Sequence, residues 1–164
     1  MTRIGLISDT HGLLDQRVLE HFSDVDEIWH CGDIGSTEVL ELLKRHKPVR
    51  AVYGNIDSGD LRYMLREVER FRCEDIDVVL THIGYVHGFL APNIRTLLNR
   101  EPANLFCCGH THILKVHFDK AHNMLCLNPG AAGKYGIQTT QTLMRFCIDG
   151  KQIKDLEIIE LQRL

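Results

Sequence analysis

The chain has 164 residues, 44% of them hydrophobic and 25% charged, and a formal net charge of −3. That suffices for one domain, spanning residues 1–164 and burying roughly 70% of its unfolded surface. No apolar run approaches the ~18 residues of a membrane span, and no Lys/Arg run supports a nucleic-acid surface.

In chain order, Met1-Thr2-Arg3 leads into an apolar run, Ile4–Ile7, too short for a signal peptide, so a cytoplasmic location is expected. Ile4–Ser8 predicts a buried strand. Asp15–Phe22 predicts a helix with Val18, Leu19 and Phe22 on its inner face. Glu27–His30 reads as a short strand, and Thr37–His46 as a helix carrying Val39, Leu40, Leu42 and Leu43 that stops before Pro48. Val49–Tyr53 is the next strand. This βαβαβ order predicts an α/β fold with a parallel sheet covered by helices. Further strands are expected at Glu67–Cys73, Val78–Thr81, Leu105–Cys108, Leu114–Phe118 and Met124–Leu127, with a helix near Asn93–Arg100. Asp149-Gly150 predicts a hairpin between Thr140–Ile148 and Gln152–Ile159. The second half thus reads as an antiparallel-rich sheet packed on the first.

Six cysteines contain no C-x-x-C pair, and free buried thiols are the expectation. Histidine is the unusual residue, with ten copies, and it is the commonest metal ligand. Five strands in succession end in residues that can bind metal. Ile4–Ser8 leads into Asp9-Thr10-His11-Gly12, the next strand into Cys31-Gly32-Asp33, and Val49–Tyr53 into Gly54-Asn55. Val78–Thr81 leads into His82, and Leu105–Cys108 into Gly109-His110-Thr111-His112. Ligand sites in open α/β sheets lie outside the carboxyl ends of strands, so these loops should share one rim.

Two Asp, four His and one Asn suit Mn²⁺, Zn²⁺, Ni²⁺ or Fe²⁺ better than Ca²⁺. Seven ligands are too many for one such ion and right for two, if one carboxylate bridges them. Two ions about 3.5–4 Å apart can lower the pKa of a shared water, align the resulting hydroxide for in-line attack on phosphorus, and offset transition-state charge.

Asp9-x-His11, Gly32-Asp33, Gly54-Asn55, Thr81-His82 and Gly109-His110-Thr111-His112 resemble the motifs of the calcineurin-like metallophosphoesterases. The short chain and Asn128-Pro129-Gly130 look most like the YfcE-type phosphodiesterase branch. The resemblance implies a four-layer αββα sandwich of two mixed β-sheets flanked by helices. It also implies that Asp9, His11 and His112 hold one metal and Asn55, His82 and His110 the other, with Asp33 bridging. Asp33, Asn55 and His82 form the expected catalytic core, and Mn²⁺ is the first expectation for the metal.

Many relatives carry histidine directly after the asparagine, where this chain has Ile56, which shifts the expectation from monoesters toward a small phosphodiester. Ile83-Gly84-Tyr85-Val86-His87-Gly88 also departs from the usual Gly-His continuation. His87, Arg62 and Lys134 are candidate substrate contacts. Asp57 reads as a loop cap, His30 as a hydrogen-bonded core histidine, and His21, His46, His117 and His122 as solvent-facing or structural. The alternatives are a protein-binding scaffold of the retromer-subunit kind on the same fold, or a phosphomonoesterase or nuclease. A homo-oligomer is left open.

Overall fold

The computed structural model describes residues 1–163. The first half contains β1 (Thr2–Ile7), α1 (Gln16–His21), β2 (Glu27–His30), α2 (Thr37–His46), β3 (Val49–Ala51), α3 (Asp60–Met64), β4 (Val68–Cys73) and β5 (Ile76–Thr81). The second contains β6 (Tyr85–Val86), β7 (Phe89–Leu90), α4 (Pro92–Arg100), β8 (Leu105–Cys107), β9 (Lys115–Asp119), β10 (Met124–Asn128), β11 (Thr140–Asp149) and β12 (Gln152–Gln162).

Two five-stranded sheets result, ordered β12-β11-β1-β2-β3 and β4-β5-β8-β10-β9. In the first, β1, β2 and β3 are parallel and the terminal hairpin joins them antiparallel, β11 lying on β1. In the second, β5, β8 and β10 are parallel, with β4 and β9 as antiparallel edges. Both sheets are therefore mixed, and the expected antiparallel-rich second sheet is corrected. Helix α4 lies between β5 and β8 in the chain, the long crossover that parallel neighbours need. The terminal hairpin belongs to the first sheet instead.

Strand alternation explains the layering. Ile4, Leu6, Trp29, Val78, Leu80, Leu105, Cys107, Leu127, Met144 and Phe146 form a buried core from the facing sides of the two sheets. The opposite face of the first sheet, with Ile7, Ile28, Ala51 and Leu143, packs with Val18 and Phe22 around α1 and with Val39, Leu40 and Leu43 of α2. On the second sheet Val79, Phe106, Met124 and Cys126 pack on Ile94 and Leu98 of α4. Three apolar seams between four layers give the αββα sandwich. Trp29 is wholly buried, edge-on to Phe71 and Phe146, with its indole N–H donating to Glu27 Oε2 at 2.9 Å.

Helix α2 begins on Ser36, whose Oγ accepts from Val39 N–H at 3.4 Å, and ends with Lys44, Arg45 and His46 in its last turn. These satisfy an N-terminal orphan donor and complement the helix dipole. Leu42, expected among its apolar positions, is exposed. Helix α3 and the β6–β7 hairpin lie outside the predicted elements. Helix α3 has five residues and a Gly59 N-cap with no side-chain bond, so it carries no local signal. The hairpin turns on His87-Gly88, both at positive φ (52° and 83°), a primed-turn geometry reached here without Asn or Asp. All six cysteines are free. No helix among the described residues is long and apolar enough to cross a membrane.

Candidate metal centre

The loops leaving β1, β2, β5 and β8 meet at one end of the sandwich. Asp9 N–H donates to Gly32 O at 3.0 Å and His11 N–H to Asp33 O at 3.0 Å, lacing the first two loops together. Gly109 N–H donates to His82 O at 3.0 Å, which does the same in the second sheet. His110 N–H reaches across the sheets to Asp9 Oδ2 at 3.1 Å.

Five of the seven motif residues lie in left-handed backbone: Asp9 (φ 56°), His11 (49°), Asp33 (53°), His110 (73°) and His112 (62°). Each such residue costs on the order of 1–3 kcal/mol and persists only where surrounding structure enforces it. Two glycines make the close approach feasible. A Cβ on Gly54 would lie 2.1 Å from Asp33 Oδ1, and one on Gly109 would lie 2.0 Å from Ser8 Oγ.

Asp9, Asp33 and His82 are buried, His11 and His112 half-buried, and Asn55 and His110 sit at the exposed mouth. His112 Nε2 is 3.1 Å from Asp9 Oδ1, and His11 Nε2 lies 3.6 Å from both Asp9 Oδ1 and Asp33 Oδ2. His82 Nε2 is 3.1 Å from Asp33 Oδ2 and 3.9 Å from Asp9 Oδ1. At the mouth, His110 Nδ1 is 3.0 Å from Asn55 Oδ1. Two trios, Asp9–His11–His112 and Asp9–Asp33–His82, each keep one ligand atom per residue within 4.8 Å of the others.

Asp9 Oδ1, His11 Nε2 and His82 Nε2 are buried yet lack a hydrogen bond of proper geometry. Buried polar atoms are normally satisfied. The other atoms of these side chains are firmly held: Ser8 Oγ donates to Asp9 Oδ2 at 2.6 Å, and His82 Nδ1 sits 2.7 Å from Cys31 O. A carbonyl can only accept, so that contact puts the His82 proton on Nδ1 and leaves Nε2 with a free lone pair. Among the described residues, no thiol completes either trio. The donor set thus fits cations that take imidazole and carboxylate.

Burial acts to raise the carboxyl pKa of Asp9, but the imidazoles of His11, His112 and His82 outweigh it and hold the group ionised. Asp33 is likewise lowered, burial being outweighed by His82 and the Ile56 N–H. His11 is raised by Asp9 beside it; His82 is raised because Asp33 and Asp9 overcome its burial. Both carboxylates are thereby held as anions at the rim.

The calcineurin-like phosphoesterase superfamily domain matches residues 2–151. The chain belongs to this superfamily. A probable metallophosphoesterase of Methanothermobacter thermautotrophicus is 32% identical over 170 residues, covering 95% of this chain and 91% of that protein. In fold, the chain superimposes on Vps29 of Entamoeba histolytica complexed with zinc, with TM-score 0.75, 16% identity and 98% of each chain covered. A predicted phosphoesterase of Streptococcus pneumoniae gives TM-score 0.73 at 22% identity, over 97% of this chain and 89% of that one.

Arg62 lines a cleft of about 220 Å³ with Tyr53, Asn55 and His82; its guanidinium stacks 4.6 Å from the Tyr53 ring centroid, and its Nε donates to Asp57 O at 2.6 Å. His87 is exposed and lines a second cleft, which also contains His110. Lys134 is exposed and follows Gly133, whose N–H donates to Asp9 O at 3.1 Å. Sequence reasoning missed Tyr135, whose ring centroid is 6.1 Å from that of His11, and Tyr53; neither aromatic falls in a motif. His117, expected to be solvent-facing or structural, is half-buried and lines the second cleft.

His30 supports the rim from beneath. It is fully buried, its Nδ1 accepts from Gly32 N–H at 3.1 Å, and its Nε2 lies 3.0 Å from Thr10 Oγ1. Thr10 Oγ1 in turn donates to Ile34 O at 2.9 Å. Burial lowers the His30 pKa from 6.5 to about 4. Below pH 6.5 the unfolded chain takes up a proton that the folded chain refuses, so stability falls with pH down to about 4. In metal-free protein the drop from pH 7 to pH 5 should be about 2 kcal/mol larger than in His30→Gln, measured by urea unfolding. His11 and His82 pull in the opposite direction but are common to both proteins. Equal losses would mean that His30 does not carry the acid sensitivity.

Proposed function

We propose that this chain is a metal-dependent phosphodiesterase whose site takes two divalent ions, Mn²⁺ foremost, on Asp9, His11 and His112 and on Asn55, His82 and His110, with Asp33 shared. The observation that carries the reading is the unpartnered trio of buried atoms, Asp9 Oδ1, His11 Nε2 and His82 Nε2, gathered beside Asp33. Such ions would supply Lewis acidity, lowering the pKa of a water toward neutrality and offsetting charge on phosphoryl oxygens.

The chain's own part is positioning. Ser8 and the His110 N–H fix one oxygen of Asp9 and leave the other free, and Ile56 N–H does the same for Asp33 by donating to Oδ1 at 3.0 Å. Cys31 O fixes the His82 tautomer. Arg62, beside Asn55, supplies a cation for a phosphoryl oxygen at the mouth. Ile56 places an apolar side chain, 45% exposed, where a proton-donating imidazole would otherwise follow Asn55. That favours diesters and good leaving groups over monoesters of poor ones.

Metal-stripped protein should hydrolyse neither bis-p-nitrophenyl phosphate nor p-nitrophenyl phosphate. Restored Mn²⁺, Ni²⁺ or Zn²⁺ should bring turnover of both, with kcat/KM favouring the diester. A preference for the monoester would overturn the diesterase assignment. No turnover with two ions bound per chain would move the reading to a protein-binding scaffold.

A further inference from the structure

Beside the metal rim lies a cleft of about 370 Å³, within the size range of ligand pockets. It shares His110 with the rim, so the two are continuous. The strand register gives its direction. Lys115 pairs with Asn128, whose amide donates to Gly109 O at 3.0 Å on the rim, while His117 pairs with Cys126 two residues further from it. The cleft therefore runs away from the metal centre along β9 and β10.

Its walls are apolar, formed chiefly by Tyr85, Ile113, Cys126 and Leu127. Its polar groups are Lys115, the imidazoles of His87, His110 and His117, and the neutral Thr111 and Asn128; among the described residues no carboxylate lines it. Lys115 has no carboxylate partner among the described residues, and its ammonium rests 5.5 Å from the Tyr85 ring centroid. His117 Nε2 is 3.3 Å from Tyr85 OH, and its buried Nδ1 has no partner.

We propose, resting on the phosphodiesterase reading above, that this cleft receives the non-leaving arm of the diester, and that the arm is a flat ring bearing an anionic or hydrogen-bond-accepting group. An apolar slot continuous with the phosphate site explains the ring. The Lys115 ammonium, which has no carboxylate partner among the described residues, explains the acceptor. A cationic arm would face the Lys115 ammonium and is disfavoured.

Three p-nitrophenyl phosphate diesters test this, their second arm being methyl, phenyl or 4-carboxyphenyl. All release the same p-nitrophenol, so each variant is read as a change in the kcat/KM ratios of the parent. Ile113→Trp, a change at an exposed position of the cleft wall, should lower the phenyl-to-methyl ratio roughly tenfold, the scale on which pocket fit discriminates. Lys115→Glu should lower the carboxyphenyl-to-phenyl ratio by a similar factor and leave phenyl-to-methyl nearly unchanged. If the parent turns over all three diesters and neither variant moves either ratio, the arm lies elsewhere and the cleft assignment is wrong, while the phosphodiesterase reading stands. If the parent with Mn²⁺ hydrolyses none of the three, that reading fails and the arm site with it.

Discussion

Asp33→Asn should suppress metal-dependent hydrolysis further than any other single ligand change, beyond the roughly 10–100-fold that loss of an outer partner of a metal ligand costs. Asp33 Oδ2 lies 3.6 Å from His11 Nε2 and 3.1 Å from His82 Nε2, so it faces one proposed ligand of each ion. The other oxygen accepts the Ile56 N–H and lies where a Cβ on Gly54 would collide with it. An asparagine has no good orientation in this place. With its oxygen toward Ile56 N–H, it turns an NH₂ donor on the cations. Flipped, it sets NH₂ against N–H and leaves that donor unmade. Either way the negative charge that Asp33 would offer to the proposed ions is gone. Turnover and metal stoichiometry should be measured together in metal-replete buffer. A variant that binds two ions per chain and hydrolyses the diester at the parental rate would remove Asp33 from the bridging position. Asp9→Asn is the comparison: Asp9 Oδ2 is already committed to Ser8 and His110 N–H, and only Oδ1 is free for a cation.

Asp57→Ala should destabilise the fold by about 3 kcal/mol or more, with a fall in Tm of roughly 6–12 °C for a chain of this length. Asp57 is 2% exposed, and its carboxylate accepts three backbone donors: Ile34 N–H at 3.1 Å, Gly35 N–H at 2.8 Å and Gly54 N–H at 2.8 Å. It ties the loop after β2, which carries Asp33, to the loop after β3, which carries Asn55. Alanine would leave these donors without an acceptor; Gly35 N–H can turn to solvent, but Ile34 and Gly54 N–H are buried, and each unsatisfied buried group costs about 1–3 kcal/mol. Thermal unfolding of the metal-free protein is the direct check, because bound ions would mask part of the loss by mass action. A Tm within roughly 2 °C of the parent would show that water or backbone rearrangement satisfies these groups and that the tie is dispensable. The reading of Asp57 as a loop cap agrees with its three bonds, but the distance it spans between loops has no local signature.

What the amino-acid order determines on its own is whatever repeats with a short period or sits at a fixed offset. The unbroken apolar runs Ile4–Ile7 and Leu105–Cys108 mark strands with two buried faces, the 3.6-residue rhythm of Thr37–His46 marks a helix, and Asp149-Gly150 marks a hairpin. The succession from Asp9 to His112, each motif just past an apolar run, is also local, and it carries the family resemblance that the superfamily match confirms. Tertiary structure decided what depends on distant partners. The terminal hairpin could have extended either sheet; its pairing with β1 rests on contacts 140 or so residues apart that leave no local periodicity. Helix α3 and the two-residue strands β6 and β7 are too short to specify themselves and exist because the surrounding fold holds their ends. The left-handed backbone at Asp9, His11, Asp33, His110 and His112 is likewise imposed, since no dipeptide preference would place five such residues at one rim. The cleft along β9 and β10 follows from packing alone: Tyr85, Ile113, Lys115 and His117 become neighbours only once the second sheet is assembled.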